Sequence, residues 1–181
     1  LGTAIDVDTA AFDLADALGA DFVYLEPPEA RRIDQAALAI TLAVWLLRAV
    51  ADGITQGARG AAARARAGGP AATVRAGTVR AVTALVRKYV ARAFLAGANR
   101  SALAGQCAAL RRSVAAAEDA SAGLAGELAR QLPAAIGAAV RDALRAAGLP
   151  AAPALRVERA VHAQVALIVR PDRGGRRRLS W

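Results

Sequence analysis

Between Ala36 and Leu47 the only polar residue is Thr41. A helix through this run is apolar on every side, and such a helix is stable only when protein or lipid encloses it. The run is twelve residues long and is closed by Arg48 and Asp52. A membrane span needs roughly 20 apolar residues. The spacing therefore predicts a core helix over 29–52 that its neighbours must wrap, with peripheral or integral membrane association through 36–47 as the alternative. Ile33, Ala37, Ile40, Val44, Leu47 and Ala51 form one stripe of that helix, and Leu38, Leu42 and Trp45 form another.

Alanine decides what can do the wrapping. It supplies 52 of the 101 residues in the apolar class. Alanine buries little area but favours helix and lets helices approach closely. Only 4% of the chain is aromatic, so the expected core is thin and helical. Asp8 to Leu18 reads as a short helix. Val79, Val82, Val86, Tyr89, Val90 and Ala93 share one face of a helix over 72–96, with Arg80, Arg87, Lys88 and Arg92 mostly opposite. From Leu103 through Cys107, Leu110, Val114, Ala117, Ser121 and Leu124 to Leu128 the apolar steps alternate between four and three. That repeat implies either one long helix or a hairpin broken near Ser121–Gly123. Pro133 is expected to restart a helix, which Gly148 and Pro150 close.

Two stretches read differently. Asp21–Glu26 reads as a strand centred on 22–26. From Leu155 to Val169 the odd positions are mostly apolar, a period of two, followed by a turn at 171–175 and a returning segment to Trp181. The fold class expected is α+β, mainly helical: an alanine-rich bundle of about five helices with a small sheet made by the N-terminal strand and a C-terminal β-hairpin. Gly53, Gly57, Gly60, Gly68, Gly69 and Pro70 punctuate 53–71, which predicts a mobile linker dividing 1–52 from 72–181 within one domain spanning 1–181.

Charge is unevenly spread. Residues 1–34 hold eight acids, and no acid occurs between Asp52 and Glu118, an interval with eleven basic residues. The net charge is +9, and 23 of the 24 basic residues are arginine. Arginine in place of lysine, together with so much alanine, points to a GC-rich bacterial source. Cys107 and His162 are the only residues of their kinds. An intrachain disulfide and a multi-cysteine zinc site are thereby excluded, and the chemistry fits a reducing, cytoplasmic setting. The acidic start carries no apolar secretory core, consistent with that setting.

Ile5-Asp6-Val7-Asp8-Thr9 resembles the nucleophile loop of haloacid-dehalogenase-like phosphotransferases over five residues. The resemblance implies Asp6 as nucleophile, Asp8 as proton carrier and a bridging magnesium ion. The chain departs from that pattern: four residues precede Ile5, Lys88 is the sole lysine, and the adjacent acids Glu118-Asp119 fall within a helix. Asp13 and Asp16 lie one turn apart, without the ligand spacing of a calcium loop. Neither phosphate-binding glycine loop, G-x-x-x-x-G-K-[ST] or G-x-G-x-x-G, is present. No cofactor or metal site is expected. Cys107 reads as a small core residue, and His162 as a surface residue on the terminal strand.

The candidate anion-binding residues are Arg64, Arg66, Arg80, Arg87, Lys88, Arg92, Arg176, Arg177 and Arg178. The leading expectation is a non-catalytic interaction or assembly domain, which uses the 3.5-residue stripe and charge complementarity to meet a protein partner or another copy. The alternatives are binding to an anionic surface, nucleic acid or membrane, through the basic region after residue 52, and an enzyme with a metal or phosphate site in the acidic head.

Overall fold

A computed structural model of the chain describes residues 13–16, 18, 35–69 and 71–169. Five long helices account for most of them: α1 (Gln35–Arg66), α2 (Ala71–Ala93), α3 (Arg100–Ala120), α4 (Leu124–Ala146) and α5 (Ala151–Ile168). Residues 13–16 and 18 are helical as well. α1 packs most extensively on α2 and then on α3; α2 also packs on α4, and α4 on α5.

α1 is the enclosed helix that the apolar run demands. Leu46, Leu47, Val50 and Ile54 are 0–1% exposed. They join Val82 and Val86 of α2, Leu103 and Leu110 of α3, and Leu132 and Ile136 of α4 in one core. By length and composition α1 is able to cross a membrane, but 72% of its apolar window is buried inside the protein. Thr41, the one polar residue of the run, is 2% exposed. Its hydroxyl donates to the Ala37 carbonyl at 2.7 Å and accepts from the Ala98 N–H at 3.1 Å. Burial therefore leaves no unmet group there, and the bond ties α1 to the α2–α3 turn.

The expected linker over 53–71 is helix up to Arg66. At Gly53 and Gly57 the backbone of α1 lies directly against α2. A Cβ at Gly53 would stand 2.6 Å from the Val82 Cα, and one at Gly57 would stand 2.3 Å from the Thr78 Oγ1. Glycine at these positions lets two backbones meet, instead of loosening one of them. The turn itself is short. Gly68 takes φ +74°, and the Gly69 N–H reaches the Arg64 carbonyl at 2.9 Å, which satisfies carbonyls at the end of α1. Gly148 closes α4 in the same way: the Leu149 N–H bonds the Leu144 carbonyl at 2.9 Å.

The expected sheet is not seen, and no strand occurs among the described residues. Residues 151–168 form α5. The physical reason lies in its odd positions. Val157, Val161 and Val165 are buried, whereas Leu155, Arg159, Ala163 and Leu167 are exposed. Apolar residues four apart make one helix face, and the intervening odd positions belong to the opposite face. The 22–26 segment and the hairpin beyond 169 lie outside the described residues.

The 3.5-residue repeat resolves into a hairpin, broken at Ser121–Gly123. α4 begins at Leu124, and Pro133 lies inside it rather than at its start. Leu103, Cys107, Leu110 and Ala117 of α3 are buried, as are Leu124 and Leu128 of α4. Glu118 shapes the break. Its carboxylate accepts from the Gly123 N–H and the Ala125 N–H, both at 2.8 Å. Those donors open α4 and have no partner within the helix.

Candidate anion-binding face

α2 carries the basic face, and its geometry follows from its apolar one. Thr78, Val82, Val86 and Val90 point into the core. Arg80, Arg87, Lys88 and Arg92 are exposed on the other side, where an amphipathic helix must place its charges. Their offsets of seven, one and four residues keep all four within one half of the helix circumference. Arg64 and Arg66 lie exposed in the last turn of α1, where positive charge complements the helix dipole.

The fold brings part of this set together. Arg64 leans across the N-terminal half of α2: a Cβ at Gly77 would come within 3.1 Å of its Nη1. Arg64 also lines a shallow groove of about 240 Å³, together with Gln56, Gly60, Gly77 and Thr78. Arg80 begins the next turn of α2, where its Nε donates to the Ala76 carbonyl at 3.3 Å. Arg87 reaches Asp142 of α4 at 3.5 Å, with both side chains about half exposed. A pair so open to solvent is worth about 0–1 kcal/mol and leaves Arg87 available. Among the described residues no carboxylate lies within ion-pair distance of Arg80, Lys88 or Arg92. Arg176, Arg177 and Arg178 lie outside the described residues.

Two features of this face escape a reading by composition. The first is Leu95, which is 91% exposed in the turn that follows α2. The second is a cluster on the flank of α1 and α2. The Tyr89 hydroxyl donates to Asp52 Oδ2 at 3.1 Å. The Trp45 and Tyr89 rings meet edge to face, with centroids 5.5 Å apart, and the Arg48 guanidinium lies 5.3 Å from the centre of the Trp45 ring. Burial lifts the Tyr89 phenol above its ordinary range, and the bond to Asp52 adds to the lift. Trp45, Arg48 and Asp52 are spaced three and four apart on α1, which is the sequence signal for a shared face.

The remaining candidates disperse. Cys107 is 1% exposed inside the core, and His162 is exposed on α5, not on a strand. Asp13 and Asp16 are exposed, with Leu14, Ala15 and Leu18 buried beside them. Asp6 and Asp8 lie outside the described residues. Among the described residues, no three His, Cys, Asp or Glu side chains are grouped to hold a metal ion. Glu118, half of the adjacent acidic pair, is engaged as a helix cap.

Comparison of the chain with protein-family models, with curated proteins and with solved structures gives no match.

Proposed function

We propose that this protein binds a polyanionic surface, nucleic acid or anionic membrane, through α2 and the α1–α2 turn. The observation that carries the reading is the row Arg80, Arg87, Lys88 and Arg92, exposed on one side of a helix that has no acid of its own. Such a row creates a one-signed field that draws phosphate-bearing partners and weakens as salt rises. The competing motive for assembly, the 3.5-residue stripe, is spent within the core: Leu103, Cys107 and Leu110 are 0–1% exposed.

The test is fluorescence anisotropy with a labelled DNA duplex, alongside sedimentation with vesicles containing phosphatidylserine, both at low salt. Binding in at least one assay is expected, and it should fall steeply with added salt. The triple variant Arg80→Glu, Lys88→Glu, Arg92→Glu should lose it while keeping its helical circular dichroism. A wild-type chain that binds neither probe overturns the reading.

A second reading rests on the eight acids of residues 1–34. The basic face of one copy would then take the acidic head of another. Light scattering across a salt series separates the two readings, because only this one requires the mass to rise as salt is lowered with no ligand present.

A further inference from the structure

We infer that the anionic surface is a lipid bilayer, with Leu95 inserted at its acyl boundary and the basic face of α2 lying along the headgroups. This rests on the anion-binding reading above and narrows it to one partner.

Leu95 carries the argument. It is 91% exposed, whereas the other large exposed apolar residues among those described, Leu155 and Leu167 on α5, are 42% and 38% exposed. The cations beside it make the pairing informative, because so exposed a Leu95 buries almost no apolar area in its own fold and leaves it for a partner. Its direction is set by the helix before it. The Leu95 N–H donates to the Arg92 carbonyl at 3.0 Å and the Ala96 N–H to the Ala93 carbonyl at 3.3 Å, so two overlapping 3₁₀-type turns follow α2. In such turns side chains three apart eclipse, which sets Leu95 on the side of Arg92; Lys88 lies one α-helical turn before Arg92 on α2. Phe94, one residue earlier, packs against the core, so the turn sends one apolar side chain inward and the next outward among the cations.

This pairing of chemistries fits lipid better than single-stranded nucleic acid. At an anionic leaflet each nearby arginine or lysine is attracted to the headgroups. A leucine at the same level enters hydrocarbon, and long basic side chains reach back up to phosphate. Single-stranded nucleic acid would call for exposed aromatic faces on which bases can stack. Trp45 and Tyr89 are half-buried and turned edge to face on each other, and Phe94 is partly buried.

The experiment uses the full chain and two variants. Sedimentation is measured with phosphatidylcholine vesicles, and with the same vesicles containing phosphatidylserine; heparin and a DNA duplex serve as anions without acyl chains. The wild type should bind the phosphatidylserine vesicles and leave the neutral ones. Leu95→Gln should weaken that binding about tenfold, a partial loss of the leucine transfer energy, and leave heparin binding unchanged. Leu95→Cys, labelled with an environment-sensitive dye, should shift to the blue on the vesicles; Cys107 is buried, so the label reports position 95. Equal vesicle binding by Leu95→Gln, or a dye that stays in water, overturns the inference. If the wild type binds heparin or DNA but no vesicle, the inference falls while anion binding stands. If it binds none of the probes, both fall.

Discussion

Gly53 lies so close to α2 that a Cβ added to it would stand 2.6 Å from the Val82 Cα, a backbone atom that cannot swing aside. α1 and α2 therefore owe their separation to the absence of a side chain. Gly53→Ala should destabilise the protein by about 1–3 kcal/mol through overpacking, in spite of alanine's advantage within a helix. Gly60, two turns on in the same helix, has nothing within 4 Å of its added Cβ. Gly60→Ala should stabilise by roughly 0.5–1 kcal/mol, the ordinary helix preference for alanine. Urea unfolding of the two variants checks the opposite signs. Equal effects would mean that α1 and α2 do not meet at Gly53.

The α3–α4 break depends on Glu118, whose carboxylate spans the turn to cap α4. Glu118→Ala leaves the Gly123 and Ala125 N–H groups without their acceptor. The expected cost is about 1–2 kcal/mol, in the range for lost helix caps. Asp119 is exposed and next in sequence, so Asp119→Ala serves as the comparison and should stay within about 0.5 kcal/mol of wild type. Thermal unfolding followed by circular dichroism distinguishes them.

Alkaline pH should act through Tyr89. Burial, and then the hydrogen bond to Asp52, hold its phenol above the ordinary value. The folded protein keeps that proton to higher pH than the unfolded chain does. This contribution to stability is fully present below about pH 10 and is lost as pH rises from there through the folded value. Tyr89→Phe removes the titrating group, so its stability should decline less over that window. At neutral pH the variant should be weaker by about 0.5–1.5 kcal/mol, the value of one lost hydrogen bond. Urea unfolding on both sides of pH 10 measures both effects, and parallel pH curves would show that Tyr89 is not the group responsible.

Much of the bundle is legible in the sequence where one kind of residue has one use. The run from Ala36 to Leu47 has no polar face, so it goes inside. The valines of α2 have a single periodicity, and the arginines opposite them are exposed as expected. Legibility fails where a residue has two uses. Glycine interrupts helices and also lets them approach; only the α2 residues opposite, Val82 and Thr78, show which use applies at Gly53 and Gly57. Leu95 eludes the apolar repeat of α2 because it lies past the helix end, where the bond from its N–H to the Arg92 carbonyl, and not the valine spacing, sets its side. The bond from Glu118 to the Ala125 N–H crosses the break between two helices, beyond the reach of any single helical pattern.

α5 gives the sharpest case, because its odd residues fit two periods and the two periods make opposite demands. On a strand Leu155, Val157, Arg159 and Val161 would share a face and respond alike to substitution. On the helix Val161 is 0% exposed and Leu155 is 42% exposed. Val161→Asp would bury a carboxylate among apolar neighbours, and several kcal/mol of destabilisation is expected. Leu155→Asp places the same charge in water, near the start of α5, where a negative group is favoured by the dipole. Its effect should stay within about 0.5 kcal/mol of wild type. Both variants are measured by urea unfolding under one set of conditions. A large loss from Leu155→Asp, matching that from Val161→Asp, would return this segment to the sheet that its alternation first implied.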